Sequence, residues 1–230
     1  MSDKLFYLLQ VNDALFPIGG YSHSQGLETY IQKGLVHDEA SAKEYIINKL
    51  KWSLANTDLL AVRMVFEAAR QGDLKTITEV EEMLEASRLP AEQRDGSKKM
   101  GSRFAKTVEK LDLEDCREGI FRDYIQSRKG KVINHCCVYG VFCGALGLDI
   151  NETLSHYLYA QTSAMVTNCV KTIPLSQTAG QQILAGCYQS FKEILDDVME
   201  MGEKDFCLSA PGFDIRGVQH EKLYSRIYMS

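Results

Sequence analysis

The sequence predicts an all-α fold, a single-domain bundle of about eight to ten helices. Three observations carry this reading. Apolar residues recur at spacings of three and four over long segments, the period of one helical face. Only 4 prolines occur in 230 residues, so few positions forbid a continuing helix. No run alternates apolar and polar residues as a half-buried strand does. No repeat or low-complexity tract divides the chain, so 1–230 reads as one domain with 207–230 set apart as a tail. A chain this long buries roughly 70–75% of its unfolded surface and needs no staple.

The elements follow in order. Lys4 to Val11 reads as a short first helix, stopped before the breaker-rich Phe16-Pro17-Ile18-Gly19-Gly20. A second short helix fits Leu27 to Lys33, ended by Gly34. Asp38 has the chemistry of an N-cap for the next segment, where Ile46, Leu50 and Leu54 repeat every four residues. That segment is one long helix, or two joined near Asn56-Thr57-Asp58. Asp73 precedes an acidic helical stretch from Glu79 to Glu85. Pro90 breaks the chain, and Ala91 to Lys110 reads as a hydrophilic helix. After Gly130-Lys131 an apolar helix fits Val132 to Leu146. Asn151 reads as the cap of a helix with Leu154, Leu158, Met165 and Cys169 on one face, ended by Pro174. Leu184, Cys187, Tyr188, Phe191, Leu195 and Val198 mark the last long helix, and after Gly202 the periodicity stops.

Charge and cysteine usage exclude several classes. Lys+Arg is 26 against 31 Asp+Glu, a net charge of −5, which argues against a nucleic-acid or anionic-membrane binder. The charge is uneven: Arg88 to Lys110 holds seven Lys/Arg against three Asp/Glu, and Lys192 to Asp205 holds six Asp/Glu against two Lys. No stretch reaches the ~18 apolar residues of a membrane span. The opening MSDKLFYLLQ lacks the pattern of a secretion signal. The seven cysteines, Cys116, Cys136, Cys137, Cys143, Cys169, Cys187 and Cys207, include no CxxC pair and read as reduced thiols in the cytoplasm.

The search for chemistry finds no catalytic set, so the chain reads as a non-enzyme. No GxxxxGK[ST] loop is present to cradle a phosphate. Ser22-His23-Ser24 places a nucleophile type beside a base, but adjacent side chains diverge, and a turn or cap is the simpler role. His220-Glu221 begins like a zinc-protease helix, yet Tyr224 stands where the second His belongs. His135, Cys136 and Cys137 are soft donors on an apolar helix. Their spacing fits no closed metal site, so core packing leads and a metal role stays as the alternative. Tyr224, Ile227, Tyr228, Met229 and Arg226 are residue types that anchor protein interfaces; the alternative is a terminus folded back on its own core.

Three ordered segments now stand out. Leu15-Phe16-Pro17-Ile18-Gly19-Gly20-Tyr21-Ser22-His23-Ser24-Gln25-Gly26-Leu27-Glu28 resembles the N-terminal signature of the UreF family of urease accessory proteins. Lys171-Thr172-Ile173-Pro174-Leu175-Ser176-Gln177-Thr178-Ala179-Gly180-Gln181 resembles its second motif, and His220 to Ser230 its C-terminal signature. One departure is visible: the family's apolar helix often begins His-Pro, whereas Cys136 follows His135 here, which leaves the start of that helix open.

The resemblance implies an all-α homodimer without turnover. It implies an adaptor that bridges a second accessory protein (UreD, also called UreH) and the GTPase UreG, so that nickel reaches apo-urease at the expense of GTP. Nickel and GTP are then handled by the complex, with no cofactor of this chain's own and no nucleic-acid or membrane partner. By the same resemblance, Gly19, Gly20, Tyr21, His23, Ser24, Gly26 and Glu28 are candidates for a surface shared with UreG. Tyr224, Ser225, Arg226, Tyr228 and Met229 are candidates for a docking element that orders with UreD. Lys171, Pro174, Gln177, Gly180 and Gln181 are either structural, joining two core helices, or part of an interface. Two other classes remain: a small helical enzyme using His23 or His135, and a direct nickel carrier using His135, Cys136 or Cys137.

Overall fold

The computed structural model describes residues 3–230. Met1 and Ser2, which open the MSDKLFYLLQ segment, lie outside the described residues. α1 (Asp3–Asn12) leads through the first motif to α2 (Leu27–Gln32). Asp38 caps α3 (Glu39–Lys49) as expected: its carboxylate accepts the Ser41 N–H at 2.9 Å, and the Ser41 hydroxyl closes a capping box. α3 runs through a π-helical segment, Leu50–Leu59, into α4 (Leu60–Gln71), so the segment left as one helix or two is one rod. Gly72 ends it in the left-handed conformation, φ 70°. Asp73 caps α5 (Leu74–Ser87), and α6 (Ala91–Leu111) starts after Pro90. α7 (Glu114–Arg117), α8 (Ile120–Ser127), α9 (His135–Ala145), α10 (Ile150–Thr172), α11 (Gln177–Glu200) and α12 (Pro211–His220) follow. With the rod counted once and single-turn α7 set aside, the described residues form ten helices and no strand.

The core is organised around α9. Every residue from His135 to Gly144 is buried, as a helix that is apolar all round should be. Two glycines set its approach to α4. A Cβ at Gly140 would stand 2.7 Å from the Val62 carbonyl oxygen, and one at Gly144 2.8 Å from that of Phe66. The two backbones therefore meet at a separation no larger residue permits. Phe104 on α6 packs edge-on to Phe142 at 5.6 Å between ring centroids, which closes the opposite side of α9.

Four expectations need correction. α9 starts at His135, three residues later than Val132, because Asn134 is pinned in extended backbone. Its N–H and side-chain amide both donate to buried Glu81, at 2.5 and 2.9 Å. The cap of α10 is Asp149 rather than Asn151: its Oδ1 accepts the N–H groups of Asn151 and Glu152 at 2.9 and 3.0 Å. On α11 the buried face runs through Ile183, Leu184, Cys187, Ile194 and Val198, so Tyr188 points outward beside Tyr159. Finally, residues 207–230 are not free of helix. α12 opens with Pro211 at its first position, where a fixed φ helps and no N–H is missed. A Cβ at Gly217 would lie 2.6 Å from both Pro90 Cγ and Gln93 Nε2, so α12 sits on α6 at glycine distance. Of the turn-forming residues in this stretch, Pro211 is a helix start signal and Gly217 a packing requirement.

Candidate functional site

The first motif is an irregular strap held by glycine geometry. Gly19 and Gly26 have φ of 79° and 88°, which favour glycine, and Gly20–Ser22 form a single 3-10 turn between them. A Cβ at Gly19 would collide with the Arg103 guanidinium on α6, whose Nη1 donates to the Ile18 carbonyl at 3.3 Å. Tyr21 is left 73% exposed, next to a helix whose Lys99, Arg103, Lys106 and Lys110 face solvent. His23 and Ser24 turn inward. Burial lowers the His23 pKa, and the nearby Lys99 and Arg103 charges lower it further against Glu92.

The last residues of the chain return to this strap. The Met229 N–H donates to the Ser22 carbonyl at 2.9 Å, and the Ser24 N–H to that of Ser230 at 2.5 Å. The Ser24 hydroxyl also donates to the Ser230 carbonyl at 2.7 Å, and His23 Nδ1 lies 2.9 Å from the Ser230 hydroxyl. Glu28, on α2, is 5% exposed and anchors the contact. Its Oε1 accepts the Ile227 N–H at 2.7 Å, and its Oε2 accepts the Tyr228 N–H at 3.0 Å. His220 stands behind it, with Nε2 3.1 Å from Glu28 Oε2 and Nδ1 2.9 Å from Glu92 Oε2 on α6. Arg226 closes the set by pairing with the other oxygen of Glu92. Burial acts against the charge on Glu92, but the hydrogen bonds from His220 and Arg226 outweigh it and hold this carboxyl below the usual range. Tyr224, Ile227 and Met229 stay outside, 105%, 72% and 52% exposed, while Tyr228 is buried. Ser225 and Arg226 are exposed, and the Ser225 carbonyl accepts the Gln32 side-chain amide at 2.7 Å.

The structure thus brings the first and third sequence motifs together, though some two hundred residues separate them. The second motif is the α10–α11 connection. Pro174 follows extended Ile173 and forbids a continuous helix, and Ser176 caps α11. Gly180 is buried for packing, since a Cβ there would lie 2.6 Å from Val170 Cγ2. Lys171, Gln177 and Gln181 are exposed at the turn. The link to the other motifs is Asn168, one turn earlier, whose amide donates to the His23 carbonyl at 2.9 Å.

Behind the strap lies a polar interior. A cavity of about 270 Å³ is lined by Lys49, Asp58, Arg88, Gln93 and Asp214 among others. Asp58, carried by the π-helical segment, pairs with Arg88 at 2.9 Å and accepts from the Tyr157 hydroxyl at 3.3 Å. Burial opposes the Asp58 charge, but Arg88 and its hydrogen bond outweigh burial and hold the carboxyl low. Burial lowers the Lys49 ammonium to about 8, and Lys49 lies 4.8 Å from the centre of the Phe213 ring. A second pocket of about 20 Å³, room for one water, shares Gln25, Asp58, Arg88 and Gln93 and reaches His23, His135 and Ser230.

His135, Cys136 and Cys137 are core residues. The His135 ring packs 5.7 Å from Tyr157 and 5.8 Å from Phe104, and burial lowers it to about 4. The Cys137 thiol is pushed well up by its hydrogen bond with Cys136 and by burial, so Cys137 does not ionise readily into the thiolate that binds metal. Among the described residues, no three His, Cys, Asp or Glu side chains converge as a metal site. No described helix is long and apolar enough to cross a membrane.

The UreF family model matches residues 36–188, which is 153 of the 230 residues. The chain belongs to the UreF family. UreF proteins are urease accessory proteins, so the chain has an accessory role in urease maturation. The matched region holds the helical body from α3 into α11 and all of the second motif. The first and third motifs flank it and meet on its surface.

Sequence reasoning on this UreF chain missed Glu92, Asn168 and the Asp58–Arg88 pair, and it set His220 aside once a zinc-protease role failed. Glu92 carried one usable signal, an acid in the first turn after Pro90. Glu221 has a role too: its Oε1 accepts the Ala91 N–H at 2.8 Å and caps α6 from another helix.

Proposed function

We propose that this chain is a non-catalytic adaptor in the cytoplasm that, as a homodimer, bridges UreD/UreH and UreG. In this reading it supports GTP-dependent nickel insertion into apo-urease and modulates the GTPase activity of UreG. Nickel is cargo of the complex, and nucleotide chemistry belongs to UreG. One observation carries the reading: the first motif and the chain's last residues form one continuous surface outside the helical body. That surface presents Tyr21, Tyr224, Ile227 and Met229 beside basic side chains of α6. Aromatic anchors with flanking charge are the residue types that dominate protein–protein affinity.

Reconstituted activation tests the function. Apo-urease, UreD, UreG, Ni²⁺ and GTP should yield active urease with this chain and far less without it. Equal activation in its absence would end the proposal.

Truncation tests the surface. Deleting Tyr224 to Ser230 removes no helix, so circular dichroism should stay near that of the full chain while binding to UreD is lost. A truncated chain that loses its helical signal shows instead that these residues belong to the core.

A further inference from the structure

Four charged residues line the cavity of about 270 Å³, and the protein pairs only two of them. Asp58 and Arg88 satisfy each other at 2.9 Å. Lys49, the last residue of α3, is 4% exposed, yet among the described residues its ammonium has neither a hydrogen bond nor an ion pair. What it meets instead is the Phe213 ring, 4.8 Å from the centroid. Asp214, in the first turn of α12, is half-buried, and its carboxylate likewise has no hydrogen bond or ion pair among the described residues. Two lone charges of opposite sign therefore share one cavity without reaching each other.

Burying an ammonium without a partner is costly. Burial is the largest influence on Lys49, and Asp58 and Asp214 offset it only in part. On the same wall, Arg88 Nε and Gln93 Nε2 are also buried without an acceptor. A simple anion would satisfy Lys49 but meet Asp214, and a simple cation the reverse. A molecule carrying both charges answers both. The volume far exceeds the ~10–15 Å³ that one water needs, so a small organic molecule has room. Leu54, Leu89, Leu208 and Ala210 give the rest of the wall an aliphatic lining.

We propose that this cavity binds a small zwitterion, an α-amino acid with an aliphatic side chain, its carboxylate at Lys49 and its ammonium at Asp214. The side chain then lies against the leucines of the wall. The reverse orientation would set like charges together, so the two lone residues fix the direction of the ligand. The carboxylate also gives the wall the acceptors it lacks. The site uses neither the exposed aromatic residues nor the last residues of the chain, so it stands whichever partner the chain meets.

The test titrates the full chain with three probes of one carbon skeleton at about pH 7, where Lys49 is mostly charged. L-valine carries both charges, isovalerate only the carboxylate and isobutylamine only the ammonium. Side-chain amide NMR of Gln93, which lines the cavity, reads the binding. L-valine should shift that signal saturably, and each single-charge probe should bind at least about tenfold more weakly, the scale of a lost charge-assisted hydrogen bond. Lys49→Met and Asp214→Asn should each weaken L-valine by a similar factor while circular dichroism stays unchanged. No saturable shift with L-valine up to about 10 mM would overturn the site. So would a single-charge probe that binds as well as L-valine, or wild-type affinity in both variants. If Lys49→Met does not fold, Asp214→Asn and the three probes on the natural chain decide.

Discussion

Arg88→Met is expected to destabilise the fold by roughly 2–4 kcal/mol, the lower part of the cost of breaking a buried ion pair. The reduction reflects the 17% of each side chain that remains exposed in the pair with Asp58. Without the guanidinium, Asp58 keeps only the Thr57 and Tyr157 hydroxyls as hydrogen-bond donors, in a wall that burial makes hostile to charge. Replacing both partners, Asp58→Leu with Arg88→Met, should recover most of the loss, because no orphaned charge is left. Urea unfolding of the two variants decides this. A double variant no more stable than the single one would mean that Arg88 acts by packing alone. The pair also sets an acid limb. The Asp58 carboxyl is held below its ordinary range, so its contribution is present above the unfolded carboxylate pKa and is lost as pH falls through the lowered folded value. Asp58→Asn should remove that part of the acid sensitivity.

Glu28→Ala is expected to act on the surface more than on the body. The carboxylate accepts two backbone N–H groups and stands 3.1 Å from the His220 Nε2. Leaving those donors buried and unpaired costs about 1–3 kcal/mol each. Undocking the short final segment is cheaper, because its donors then reach water. Global stability should therefore fall by no more than about 1–3 kcal/mol, while residues 226–230 lose exchange protection. If UreD binds the docked form, its affinity should drop at least about tenfold, since the competent state has become the minor one. Titration calorimetry of UreD with Glu28→Ala measures this. Unchanged affinity would separate the docked segment from the binding surface.

What the sequence revealed and what it hid follow from the range of each interaction. Asp38, Asp73, Gly34 and Pro174 act within a turn of their own positions, and the element boundaries they predict stand in the structure. The all-round burial of α9 was visible as an unbroken apolar run. Misreadings arose where a distant residue decides local conformation. Glu81 pins Asn134 and delays α9 by three residues, and α6 demands glycine at Gly217 inside what reads as a tail. Asp149 and Asn151 are both competent caps by residue type, and the sequence reading took Asn151 where the structure uses Asp149. The Glu28–His220–Glu92 bracket was the least legible feature. It joins residues from α2, α6 and α12, and no spacing along the chain encodes that meeting. The first and third motifs were each recognisable as patterns, but their contact exists only in three dimensions.

The adaptor role is tested most directly by mixing the purified chain with UreD and UreG in the presence of GTP and measuring mass by size-exclusion chromatography with light scattering. The account predicts one peak containing all three proteins, with UreD and UreG failing to co-elute when this chain is omitted. Folded partners that elute separately from it, or that join each other equally well without it, would contradict the account.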